Sequence, residues 1–253
     1  MRLSPPRWLE RGAGPPVVLL HGLMGHMHDW DPVLDILGGS SRAIAPELPI
    51  FDREPGDGSV ESLARWVLHF LDVLGLTQVT LGGNSLGGQI ALAAALAAPA
   101  RVSNLVLTGS SGLPERSVVR GLPRRPSVAF VRQRMEEVFF DPALVTPESV
   151  EAVRRTLLAP ALRLRVVRTV QAARRDAQGQ RLREIAAPTL LVWGREDQIT
   201  PISVAERFRA ALPDATLVVL RHCGHAPMIE RPEAFGAITR AWLEDARLVS
   251  ALR

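Results

Sequence analysis

Short apolar, β-branched runs alternate with segments of helical period along most of this chain, and that alternation limits its possible folds more than any other feature. The runs fall at residues 17–20, 42–45, 79–81, 102–107, 189–193 and 216–220, each bounded by Gly or Pro. Between two of them, Val60, Leu63, Val67, Phe70, Leu71 and Leu74 mark one face of a helix. Continuous rather than alternating apolar strands are expected to be buried on both faces. The pattern therefore predicts an α/β fold, a doubly wound and mostly parallel sheet.

The alternation fails between Gly112 and Ala187, where the periodicity predicts two or three amphipathic helices. One repeats Val128, Val131, Met135 and Val138. A second starts with Thr146 as N-cap and Pro147 at its first position, followed by Val150, Val153 and Leu157. The expected division is a core of residues 1–112 and 188–253, with a helical cap inserted as 113–187. Those cap residues carry fifteen arginines against eight acids, a balance of +7 that leaves −3 for the rest. A cationic lid would favour an anionic small-molecule substrate; solvated helix faces are the competing reading.

Composition removes several functions. The 253 residues include no lysine, which excludes the P-loop lysine, Schiff-base enzymes and pyridoxal-phosphate chemistry. With tyrosine absent too, a net charge of only +4 gives a pI of 10.9, because little titrates between pH 9 and the arginine range. The high pI is thus no sign of nucleic-acid binding, which also wants aromatic stacking platforms that a 5 % aromatic content does not supply. Cys223 stands alone, so no intrachain disulfide or multi-cysteine metal site is expected. No stretch has the length of a membrane span, and the first sixteen residues lack the apolar core of a secretory leader; a cytoplasmic location is expected.

Gly83-Asn84-Ser85-Leu86-Gly87 is a G-x-S-x-G directly after one expected strand and before a helix. In such a strand–turn–helix elbow the serine hydroxyl projects above the sheet, and the flanking glycines let the chain turn tightly. A serine needs a base to become a nucleophile at neutral pH, usually a histidine oriented by a carboxylate. His225 follows the last strand, where this chain order places the base, with His222 as the competing histidine. Asp197 follows the strand at 189–193, with Glu196 and Asp176 as alternatives. Two backbone donors would stabilise the oxyanion, Leu86 after the serine and Leu23 in the loop His21-Gly22-Leu23-Met24-Gly25. His26-x-His28, with Asp29 and Asp31, admits a zinc reading, but further ligands at suitable spacings are missing. No metal and no cofactor are expected.

With these residues in place the chain resembles the α/β-hydrolase superfamily over nearly its whole length, on His21-Gly22, Gly83 to Gly88, Trp193-Gly194 to Asp197, Cys223-Gly224-His225 and Glu230-Arg231-Pro232. A serine nucleophile distinguishes it from the dehalogenases and epoxide hydrolases of that superfamily. It is most similar to meta-cleavage-product hydrolases, which cut a carbon–carbon bond in diketo acids, at Asn84-Ser85, residues 108–113 and residues 140–146. The resemblance implies a substrate contact at Asn84 and a carboxylate-binding arginine at Arg154 or Arg155, while the apolar cap face that includes Met135 is expected to line the pocket or to pack the cap on the core. Where that family carries a tryptophan after the histidine, this chain has Ala226. A small-carboxylic-ester hydrolase is equally compatible. A non-hydrolytic lyase or synthase of the same fold, and a low-turnover ligand receptor, are the alternatives from other classes.

Overall fold

The computed structural model describes residues 5–51, 58–113 and 123–251, and side chains as far as residue 245. Glu115, Arg116 and Arg120 of the charge balance lie outside the described residues. Seven strands form one sheet: β1 (Trp8–Arg11), β2 (Pro16–Leu20), β3 (Arg42–Pro46), β4 (Val79–Asn84), β5 (Val102–Thr108), β6 (Thr189–Gly194) and β7 (Ala215–Leu220). Their order is β1-β3-β2-β4-β5-β6-β7, with only β1 antiparallel. β4 and β6 are buried at every residue and β2 at all but its first, which is why their sequences read as unbroken apolar runs. The sequence reading missed β1, a four-residue edge strand with both ends exposed. Its pairing with β3, rather than its own composition, makes it a strand.

Helices cover both faces. On one side α2 (Val60–Val73), α3 (Leu86–Ala97) and α7 (Ile202–Ala211) bury Phe70, Ile90 and Phe208 against the sheet. On the other, α1 (Asp31–Leu37), the short α8 (Pro227–Glu230) and α9 (Pro232–Ala251) bury Val33, Leu34 and Phe235 around Trp30. The apolar run at 90–97 belongs to α3, a core helix buried along most of its length. No helix among the described residues is long and apolar enough to cross a membrane.

Between β5 and β6 lie α4 (Val128–Glu136), α5 (Pro147–Leu158) and α6 (Pro160–Arg175), with no strand among the described residues. Thr146 caps α5 through its side chain, which accepts from the Ser149 N–H, and Pro147 occupies the first turn. Val131, Val145, Val150, Leu157 and Val166 form a separate small cluster, on which Leu23 and Phe51 of the core also pack. The face expected on α4 is corrected at both ends. Val128 is 50 % exposed at the solvent-facing N-terminus of the helix. Val138 lies beyond the end of the helix and packs instead with the α1/α9 layer.

Candidate active site

The sheet order turns outward in both directions from β2 and β4, so the crevice beyond their carboxyl ends is where α/β sheets place ligands. Leu20 of β2 is in register with Gly83 of β4, which brings the loop at Gly22 beside Ser85. A Cβ at Gly22 would stand 3.5 Å from the Ser85 Cβ.

Ser85 occupies the bend between β4 and α3 with φ 55° and ψ −117°, a conformation a non-glycine residue adopts only under constraint. Backbone bonds hold it there. Its N–H donates to the Thr108 carbonyl at 3.1 Å, and its own carbonyl accepts from the N–H groups of Gln89 and Ser111. The glycines around it are required sterically. A side chain at Gly87 would run into the Leu20 and His21 carbonyls, and one at Gly83 into the backbone of Gly87 and Gly88. Leu86 is the first residue of α3, where helical N–H groups have no partner within the helix.

His21 fixes the neighbouring loop. Its Nε2 accepts from the Leu48 N–H at 2.9 Å, so the ring hydrogen sits on Nδ1 and reaches the Gly22 carbonyl at 2.8 Å. Burial pushes the His21 pKa down and keeps the ring neutral. Asp29 accepts from the His26 N–H at 3.0 Å, and Glu47 from the Met27 N–H at 3.0 Å. His28 pairs with Asp31 at 2.8 Å. The residues of the zinc reading thus serve loop geometry, and among the described residues no group of three or more potential ligands converges.

Of the three candidate carboxylates, Asp197 is the one that reaches His225. His225 Nδ1 lies 2.9 Å from Asp197 Oδ2, with the two side chains 7 % and 0 % exposed. Glu196 instead accepts from the Cys223 N–H, and Asp176 from the Val60 N–H. His222, with φ 53°, turns its ring toward Phe140 at 5.2 Å between centroids. Gly109, with φ 51°, is packed against His225; a Cβ there would lie 2.8 Å from the ring Nδ1. The sequence motifs include that glycine and Glu230 but do not disclose what either one holds. The Glu230 carboxylate accepts from the Gly224 and Phe140 N–H groups, joining the histidine loop to the segment after α4. The His225 N–H in turn donates to the Val138 carbonyl at 2.7 Å.

Asn84, expected beside the nucleophile, is 5 % exposed and donates both amide hydrogens to backbone, to Thr108 O at 3.1 Å and His225 O at 2.8 Å. It clamps the Ser85 strand to the histidine loop, leaving only its oxygen for other partners. Arg154 is engaged through Nε with the Pro126 carbonyl and through Nη1 with Glu151. Arg155 is exposed, and Met135 packs on the small cluster between the inserted helices.

A family model described as the alpha/beta hydrolase family matches residues 17–238. The chain belongs to the alpha/beta hydrolase family. Among its relatives is the 2-hydroxymuconate semialdehyde hydrolase of Pseudomonas putida, 32 % identical over 94 % of this chain and 90 % of the relative. Among solved members of the family, the meta-cleavage product hydrolase of Pseudomonas fluorescens IP01 superposes with a TM-score of 0.83. It is 25 % identical, over 95 % of this chain and 94 % of its own. A thermophilic esterase from Thermogutta terrifontis gives 0.80 at 26 % identity, over 95 % and 93 % of the two chains. The resemblance read from the motifs and the relatives found agree on the hydrolase family, with meta-cleavage product hydrolases among its similar members.

Proposed function

We propose that the chain is a serine hydrolase acting on a small carboxylic ester or on the carbon–carbon bond of a diketo acid. The observation that carries this reading is the buried His225–Asp197 pair, clamped by Asn84 to the strand that delivers Ser85. Asp197 holds the hydrogen on Nδ1 and leaves Nε2 as a base. In the ester reaction Ser85 Oγ attacks the carbonyl carbon while His225 takes its proton. The oxyanion accepts from the Leu23 and Leu86 N–H groups. The imidazolium then protonates the departing alcohol, and water, deprotonated by His225, releases the acid from Ser85. A diketo acid would first be tautomerised with help from the same groups, and its C–C bond would then break after attack on the ketone.

Residues 113–187 are proposed as a cap over this site. Leu23 supports that assignment, since its side chain packs on the cluster formed by the inserted helices while its backbone belongs to the oxyanion loop. The carbon–carbon reading draws on the named activities of the relatives. Arg154 would supply its anchor through the guanidinium nitrogen, Nη2, that the Pro126 and Glu151 bonds leave over.

The test is labelling of the purified protein with a fluorophosphonate, together with turnover of p-nitrophenyl esters and of a vinylogous diketo acid. Label on Ser85, and losses of about 10³-fold or more in Ser85→Ala and His225→Ala, are expected. Retained labelling or turnover in Ser85→Ala would overturn the assignment. Non-hydrolytic products point to the lyase, and tight binding with little turnover to the receptor.

A further inference from the structure

Asp197 carries more donors than a triad acid needs for its histidine. Oδ1 accepts from the N–H groups of Ile199 and Thr200, both at 2.8 Å. Oδ2 accepts from His225 Nδ1 and from the Thr200 hydroxyl, at 2.9 and 2.8 Å. Residue 200 therefore grips both oxygens, one with its backbone and the other with its side chain. Rotation of the carboxylate would break both bonds at once. Thr200 is completely buried, and its carbonyl is itself held by the Trp193 indole N–H at 2.7 Å. Trp193, also fully buried, fixes that grip to the end of β6.

The hydroxyl oxygen also lies 3.2 Å from His225 Nδ1. Proton counting then selects one arrangement. With hydrogen on Nδ1, the ring donates to Oδ2, the hydroxyl donates to Oδ2, and the hydroxyl lone pair faces the same ring hydrogen. Every group is satisfied. With Nδ1 bare, its lone pair would face Oδ2, and the single hydroxyl hydrogen could serve only one of the two acceptors. We infer that Thr200 is a positioning residue that locks the Asp197 carboxylate and, through it, the His225 tautomer that leaves Nε2 free. This inference rests on the hydrolase reading for its catalytic consequence, though not for the tautomer itself.

Thr200→Val keeps the shape and removes the hydroxyl; Thr200→Ser keeps the hydroxyl and removes the methyl. Proton and ¹⁵N spectra of histidine-labelled protein, recorded on folded samples, should show a low-field His225 Nδ1–H resonance in the wild type and in Thr200→Ser. In Thr200→Val it should move or broaden. Turnover of the best ester should lose about tenfold in kcat with KM within about twofold in Thr200→Val, and recover in Thr200→Ser. An unchanged resonance with unchanged kcat in Thr200→Val would overturn the inference. So would a loss that Thr200→Ser fails to restore, because the methyl would then be the group that matters. Failure of the hydrolase reading is distinguishable, since it appears as wild-type protein inert to the fluorophosphonate while the ring resonance still reports on Thr200.

Discussion

The sheet end that holds Ser85 and His225 and the helices inserted between β5 and β6 are held by different means. At the sheet end, backbone meets backbone. Gly83, Gly87, Gly194 and Gly224 all sit where a side chain would strike another main chain, and Asn84 and Glu230 spend their side chains on peptide groups. In the inserted helices, N-cap hydroxyls, i,i+3 ion pairs, arginines set on carbonyls and one small aliphatic cluster take that place. The first arrangement tolerates little added volume. The second can change its side chains without disturbing Ser85, Asp197 or His225, which suits a region that selects substrate.

The largest effect expected from this contrast is at Gly194. An added methyl there would meet the carbonyls of Cys223 and Gly224, the two residues before His225, and neither can retreat alone. Gly194→Ala should destabilise by about 3 kcal/mol or more, seen as a fall in the denaturant midpoint, and lower turnover with it. Wild-type stability in this variant would break the distinction between the two regions.

The contrast also explains what the sequence disclosed. The elbow at Ser85 and the strands were legible because elbow glycines and buried parallel strands leave local signatures. Sequence position favours Asp197 over Glu196, but both lie in one turn, and it is the approach of the His225 loop that brings a histidine to Asp197. Thr200 left no signal, and Gly109 and Glu230 showed only as members of motifs, because each acquires its role from a loop brought by another strand or helix. The helical period continued past Glu136 to Val138, but there the chain leaves the helix so that Val138 O can receive the His225 N–H. β1 was too short and too exposed to register.

A smaller effect tests the inserted helices as the selective region. Arg154→Ala should raise KM for an anionic diketo acid by about tenfold at most, because Glu151 already offsets part of the charge. KM for neutral esters should change by less than about twofold. Equal effects on both substrates would mean that Arg154 supports α5 and the Pro126 turn rather than binding substrate.

The smallest effect isolates one buried group in the histidine loop. Burial, reinforced by nearby Glu230, pushes the Cys223 thiol up to about 12. In the unfolded chain the same thiol ionises near its ordinary value, so above about pH 8.5 unfolding releases a proton that the folded state retains. Stability should then fall as pH rises from there toward about 12, by about 1 kcal/mol at pH 9 already, whereas below that window Cys223 contributes no slope. Most proteins would hide this term under lysine and tyrosine titration, but this chain has neither. Urea midpoints measured from pH 8 to 10.5 should decline in the wild type and stay level in Cys223→Ala, which loses only the weak contacts of Sγ with Gly224 O and Glu230 Oε1. A parallel decline in both would place the alkaline sensitivity outside the histidine loop and show that Cys223 is less well shielded than its packing indicates.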